Sequence, residues 1–402
     1  MILRPGLLSI SPPKTMAPPS WDIFCTVIDN LGDIGTCWRL AYILHHDHGQ
    51  QVRLWVDDLN ALQPLVPATQ SSAQQTLHGI DVRHWTADFP DTPPAAVVIE
   101  TFGCTLPAHY VQAMQNHPQP TWINLEYMSC EDWVSHVHGQ TSLLAQGLRK
   151  HFVIPSLLPQ GGGLLREKNL LVERDAFLAH PSQQHAWCSQ WAIPLPTANS
   201  LKLSLFAYEN PHLGALIDSL SHAPQAVTAY LPASRLLNSL REYLHRPQLQ
   251  AGDSVQLGSL SLHIIPFLPQ AEYDRLLWLC DINFVRGEES LTRALWAGKP
   301  FIWQIYPTDD LAHHGKLNAF LETYSEGDSA PHPSQLKTLM QHWNHLPHAH
   351  CVDFFAALSS LQNQHAWYAQ HMQRLAQHPE LAQNLVNIVA IQSATGYNAA
   401  RK

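Results

Sequence analysis

The sequence predicts an α/β protein of two domains facing one another across a cleft. Short β-branched and aromatic runs alternate with helix-forming segments in two separate series, one from about residue 21 and one from about residue 201. Between the series, "HFVIPSLLPQGGGLLRE" (151–167) gathers proline and three glycines before helix formers return, which marks an edge of the first unit. The chain of 402 residues has ample material for more than one buried core. A cleft between two such domains is the default place for a ligand.

In the first series "WDIFCTVI" (21–28) reads as a buried strand. From Thr36 a helix is expected, because Trp38, Leu40, Ala41, Ile43 and Leu44 recur at helical spacing until Gly49. "QVRLWVDD" (51–58), "GIDVRHW" (79–85), "AAVVIETFG" (95–103) and "TWINLEYMS" (121–129) add strands at the spacing of parallel βα units. The second series places strands at 201–208, 226–232, 261–269, 281–285 and 301–306, with helices such as "LIDSLSHA" and "AEYDRLLWLC" between them. These readings divide the chain into domains at 16–190 and 195–372, with a helix at about 373–395 expected to pack back on the first.

Composition narrows the class of function. Hydrophobic residues make up 45% and charged residues 14%, which favours a globular chain over a disordered one. A formal charge of -9 and the lack of any basic run argue against a nucleic-acid partner. Residues 1–20 are too short and too proline-broken for a signal or a membrane span, so a frayed tail is expected, with Met16 as an alternative start. Seven cysteines, at 25, 37, 104, 130, 188, 280 and 351, lack CxxC pairing and suit reduced thiols of a cytoplasmic protein. The histidine groups, His45, His46 and His48, then His342, His345, His348 and His350, match no zinc spacing, so no metal is expected.

Two short stretches carry chemistry. "VIDNLGDIGTCWRLA" (27–41) places Asp29 and Asp33 among glycines at the carboxyl end of a strand, where open α/β sheets bind ligands. One aspartate capping a helix and the other shaping a turn is the plainer account of either residue alone. The loop does not fit GxGxxG, so a dinucleotide is not indicated.

"DINFVRGEESLTRALWAGKPFIWQIYP" (281–307) reads as strand, loop, helix and strand, with Ser290 as N-cap and Gly298 with Pro300 as the stop. Arg286, the Ser290 hydroxyl and a helix N-terminus suit a diphosphate. Glu288 and Glu289 would repel phosphate, so they should point at sugar or ribose hydroxyls or at a basic acceptor. Upstream, Phe267, Gln270 and Tyr273 offer the aromatic plane and amide that a nucleobase needs.

Together these stretches, with "WINLEYMSCEDWV", "GGGLLRE", "SLFAYEN" and "RALWAGKP", resemble the bacterial protein-arginine rhamnosyltransferases, the EarP family, over nearly the whole chain from about residue 22. The family usually has aspartate where this chain has Glu289. The resemblance implies a GT-B glycosyltransferase of two Rossmann-like domains, with dTDP-β-L-rhamnose as donor and an arginine of elongation factor P as acceptor, modified with inversion. It implies a donor pocket of Phe206, Tyr208, Phe267, Gln270, Tyr273, Arg286, Glu288, Glu289, Ser290 and Tyr306. Asp29 and Asp33 would face the arginine, with Glu288 also counted among the catalytic carboxylates, and neither metal nor cofactor is implied.

The aspartate pair then has a chemical reason. A guanidinium has a pKa above about 12 and no free lone pair, whereas an aspartate titrates near about 4. Full proton transfer between such groups spans about 8 units, or about 11 kcal/mol, before any bond forms. Two carboxylates can clamp the guanidinium, orient one nitrogen and accept its proton as the new bond develops. Asp33 is assigned as proton acceptor and Asp29 as orienting partner. Another GT-B enzyme with a small-molecule acceptor, a nucleotide-sugar epimerase, and a non-catalytic nucleotide-sugar-binding protein are the competing readings. The enzymes predict turnover without a protein acceptor, and the binding protein predicts binding without transfer.

Overall fold

A computed structural model describes residues 19–29, 31–116, 118–144, 147–325, 333–347 and 352–399. Met16, His348, His350 and Cys351 lie outside the described residues. In the first sheet, β1 (Ser20–Cys25) is central, between β2 (Gln51–Val56) and β5 (Val97–Thr101). The polar antiparallel strands β3 (Gln74–Leu77) and β7 (Thr141–Leu143) form its edges, outside the parallel strands β4 (Ile80–His84), β6 (Thr121–Leu125) and β8 (Arg149–Val153).

The second sheet has six strands. Its order is β11 (Ser254–Leu257), β12 (Leu260–Ile265), β10 (Val227–Pro232), β9 (Leu201–Leu205), β13 (Ile282–Arg286) and β14 (Phe301–Gln304), parallel except for β11. The edge strands are not anticipated by pattern, because "QQTL", "TSL" and "SVQL" are short and largely polar.

Helix α1 (Gly32–His46) lays Ile34, Cys37, Leu40, Ala41 and Leu44 into the first core, and α2 (Leu59–Leu62), α3 (Ala108–Ala113) and α4 (Val134–Val137) are short connections. The last helix, α15 (Leu381–Ala399), sends Leu381, Ala382 and Leu385 into that same core. Burial of each of those two leucines is worth about 1.5–3 kcal/mol, enough to hold the chain's end against the first sheet. Helices α5 (Leu170–Ala179) and α6 (Pro181–Gln190), counted by the sequence division with the first domain, pack on the second. Phe177 lies 5.8 Å from Trp278, and Trp187 Nε1 donates to Glu272 at 2.8 Å. The second core also takes in α7 (Leu213–Ser221), α8 (Leu236–Tyr243), α9 (Gln270–Leu279), α10 (Gly287–Ala297), α11 (Ala312–Ser325), α12 (Pro333–Trp343), α13 (Phe354–Gln362) and α14 (His365–Leu375).

Two element boundaries differ from expectation, and both shape the cleft. The first strand stops at Cys25, because the next N–H groups are taken by carboxylates: Val27 N donates to Asp57 Oδ1 at 2.9 Å and Ile28 N to Asp33 Oδ2 at 2.8 Å. Helix α1 therefore begins at Gly32, four residues before Thr36, and Asp33 stands in its first turn. Ser290 is likewise not the N-cap. Gly287, at φ +61, turns the chain directly from β13 into α10, and Arg286 is the cap. Gly298 ends α10 in the left-handed conformation as expected.

Candidate active site

The side chains of interest follow the carboxyl ends of strands in both sheets: Asp29 after β1, Phe102 after β5, Tyr127 after β6, Phe206 and Tyr208 after β9, Phe267 after β12, Gly287 after β13 and Tyr306 after β14. At those ends the backbone leaves the ladder, and side chains can project into the cleft. Two adjoining cavities result, sharing Asp29 and Gly32 as a common wall.

The first cavity is lined by Phe206, Tyr208, Phe267, Gln270, Tyr273, Arg286, Glu289 and Ser290. The Arg286 guanidinium lies 4.8 Å over the Phe206 ring and 4.7 Å over that of Tyr208. Its Nη1 is buried without a hydrogen-bond partner among the described residues, as is the Tyr273 hydroxyl. Burial lowers the Arg286 pKa, while Tyr208 and Asp29 oppose the shift. A desolvated cation with an unsatisfied N–H has an affinity for an anion that its protein neighbours do not meet. Ser290 Oγ accepts from the Arg286 N–H at 3.0 Å and donates to the Arg286 carbonyl.

Glu289 does not reach outward as expected. Its Oε1 accepts from Arg39 Nε at 2.8 Å and from Gln270 Nε2 at 3.1 Å. Gln270 Nε2 also donates to the Gly35 carbonyl at 2.8 Å, so both amide hydrogens are committed and the oxygen remains to be offered. Arg39 belongs to a buried ionic cluster between the domains. It pairs with Glu167 and Glu289, while Arg293 binds Asp274 at 2.7 Å and Glu167 at 2.8 Å. Burial pushes the Glu167 carboxyl up, but Arg293 and Arg39 outweigh it and pull the pKa down to about 2.

The second cavity, about 380 Å³, holds the carboxylates. Asp29, Asp33, Glu131 and Glu288 line it with Tyr127, Tyr306 and Lys316. Glu288 and Tyr306 are thus placed here and not against the first cavity. Asp33 is buried, with Oδ2 accepting from the N–H groups of Ile28 and Asp29, both at 2.8 Å, and Oδ1 from the Tyr127 hydroxyl at 3.0 Å. Two backbone donors occupy Oδ2, whereas Oδ1 keeps a second lone pair. The plainer account therefore holds in part, since Asp33 does shape the loop.

Asp29 is half-buried, and its Oδ2 accepts from the Tyr208 hydroxyl at 2.6 Å. Burial raises its pKa; the Tyr208 hydrogen bond and Arg286 work against the rise. Glu288 Oε2 accepts from the Met128 N–H at 2.6 Å, and its Oε1 pairs with Lys316 Nζ at 2.5 Å. Burial raises its pKa as well, with Lys316 opposing and Asp33 adding to the shift. Phe102, at φ +55, stacks on Tyr127 at 4.4 Å, a strained backbone that places the ring where it braces the tyrosine.

The family model described as Elongation-Factor P (EF-P) rhamnosyltransferase EarP matches residues 21–390. The chain belongs to this EarP family. Among its relatives, the protein-arginine rhamnosyltransferase of Pseudomonas putida is 46% identical over 366 residues, 90% of this chain and 93% of that one. That of Pseudomonas aeruginosa is 43% identical over 327 residues, 81% of this chain and 87% of the relative. A solved structure concerning EarP-mediated arginine glycosylation of translation elongation factor EF-P is 33% identical, covers 92% of this chain and 98% of that one, and superposes with a TM-score of 0.65. The EarP fold is GT-B, and the chain is a glycosyltransferase.

Four contributors went unrecognised in the sequence. Arg39, Tyr127 and Lys316 lie in helix or strand contexts that look structural, and only their partners reveal a role. Arg235, 5.7 Å over the Tyr208 ring, adds a second cation near Asp29 and Arg286. Among the described residues no group of three or more His, Cys, Asp or Glu is placed to hold a metal, and no helix is long and apolar enough to cross a membrane.

Proposed function

We propose that this chain transfers L-rhamnose from dTDP-β-L-rhamnose to a guanidine nitrogen of an arginine in elongation factor P, with inversion at the anomeric carbon. One observation carries the reading: Asp29 belongs to both cavities, so an anion-seeking pocket and a carboxylate-lined one meet at a single wall. A nucleotide sugar bound in the first then presents its anomeric carbon to a cation bound in the second.

In the donor pocket Phe267 stacks on the thymine and the Gln270 oxygen accepts from the imide N–H. Arg286, the Tyr273 hydroxyl and the α10 N-terminus meet the diphosphate, so the reading requires neither metal nor cofactor. In the acceptor cavity Asp29 and Asp33 hold the guanidinium. As the bond from nitrogen to the anomeric carbon forms, the bond from that carbon to the dTDP oxygen breaks. Asp33 Oδ1, held in place by Tyr127, takes the nitrogen's proton. Glu288, paired with Lys316, accepts from a sugar hydroxyl.

The six described cysteines are free and buried, in keeping with action in the cytoplasm. The test is intact mass after incubation with elongation factor P and dTDP-rhamnose. A gain of one deoxyhexose on arginine is expected, and no gain refutes the reading.

A further inference from the structure

The mouth of the carboxylate cavity displays large apolar side chains to water. Ile28 is 62% exposed, Leu311 56%, Trp133 39% and Tyr306 37%. Ile28 and Tyr306 line the cavity directly. Trp133 Nε1 donates to Glu131, another lining residue, at 3.1 Å, and Leu311 directly precedes the lining residue Ala312. Single exposed apolar residues need no explanation, but four around one opening made by two domains do.

The loop that carries two of them is built rigidly. Thr308 Oγ1 donates to Asp310 Oδ1 at 2.7 Å, the Ala312 N–H reaches the same oxygen at 3.1 Å, and Leu311 N donates to the Thr308 carbonyl at 3.1 Å. Leu311 sits at φ +60, a conformation leucine rarely adopts, and its side chain faces solvent. Helix α11, which follows the loop, meets the first domain closely, since a Cβ on Gly315 would lie 4.0 Å from Glu131 Oε1.

Exposed carboxylates predominate around the opening, with Arg235 nearby over the Tyr208 ring. The segments 26–36, 100–110, 125–140 and 305–315 contain neither lysine nor arginine, while Asp132, Asp309 and Asp310 stand exposed among the apolar side chains. Lys316, inside the cavity, is bound to Glu288.

We propose that Ile28, Trp133, Tyr306 and Leu311, with the carboxylates of Asp132 and Asp309, form the docking surface for the acceptor protein. The matching partner is a loop that carries the target arginine, flanked by apolar side chains and at least one further lysine or arginine. This rests on reading the cavity as the arginine site. A small arginine-like acceptor would fill the cavity and leave the rim without a contact. Acidic side chains also repel nucleic acid and anionic lipid, which leaves a basic protein surface as the complement.

The experiment uses the full chain with elongation factor P as acceptor. Leu311→Ser and Trp133→Ala should each raise the acceptor KM about tenfold, the scale of one interface anchor, with kcat and calorimetric dTDP affinity unchanged. Asp132→Lys with Asp309→Lys should lower kcat/KM and flatten its fall with added salt, because rim charges act on encounter. Wild-type acceptor KM and salt slope in all of these variants overturn the docking surface while leaving the transferase reading intact. Loss of self-association without a change in acceptor KM assigns the rim to a second copy of the chain and also overturns it. Absence of transfer by the wild-type chain is the separate failure of the functional reading.

Discussion

The Tyr208 hydroxyl of the second domain donates to Asp29 Oδ2 of the first at 2.6 Å, and this bond ties the two domains at the wall that the two cavities share. The hydrogen bond favours the ionised carboxylate, so its loss raises a pKa that burial has already raised. In Tyr208→Phe the acidic limb of the pH–rate profile should move to higher pH, since transfer needs the carboxylate. An unmoved limb with a lower plateau would assign Tyr208 to donor binding alone.

Asp33→Asn should fold, because an amide oxygen can still accept from Ile28 and Asp29 while its NH₂ meets the Tyr127 oxygen. Single-turnover transfer should nevertheless slow at least about a hundredfold, the lower end for losing a positioned base. Asp29→Asn should slow transfer similarly. It should not weaken dTDP binding, since it removes a negative charge from beside Arg286.

Arg286→Ala should cost about 2 kcal/mol or more in calorimetric dTDP affinity. Arg286→Lys should recover only part, because lysine lacks the fork that grips two phosphate oxygens. Unchanged affinity in the alanine variant would remove the diphosphate role.

Lys316→Met removes the one lysine or arginine that, among the described residues, lines the second cavity, where Glu288 is already raised by burial. The acidic limb of the pH–rate profile should move to higher pH, because the glutamate loses the cation that favours its ionised form. Lys316→Arg should keep the wild-type profile. A pH-independent loss would show that Lys316 serves packing.

Glu167→Gln leaves Arg39 and Arg293 short of a buried counter-ion and should cost about 3–5 kcal/mol of stability in urea denaturation. The sign follows from the depressed carboxyl: its contribution is full above its unfolded value, about 4.3, and is lost as pH falls through about 2. The destabilisation should therefore be large at pH 7 and shrink in strong acid.

Much of this architecture was legible because strands such as β10 and β14 are short, mainly apolar runs and "RGEES" announces a strand-to-helix turn. The sequence also pointed to Asp29 and Asp33, but not to their unequal surroundings. Periodicity placed α1 at Thr36, and nothing local shows that Asp33 Oδ2 would draw in the N–H groups of residues 28 and 29 and so start the helix earlier. Glu289 looked free to meet a sugar because Arg39, 250 positions away, is brought to it only by tertiary packing. Phe177 and Trp187 precede the second domain in the chain yet pack on it, which no local pattern records.

The ionic cluster of Arg39, Glu167, Asp274, Glu289 and Arg293 has a consequence for how the enzyme meets changing conditions. The Arg39 and Arg293 pKa values are raised and Glu167 is held near about 2, so these three members keep their charge throughout the range in which cells live. Asp29 and Glu288, a few side chains away, are shifted the other way, toward neutrality. Acidification therefore reaches Asp29 and Glu288 before it reaches Glu167, so the two parts of the cleft answer to pH in a fixed order.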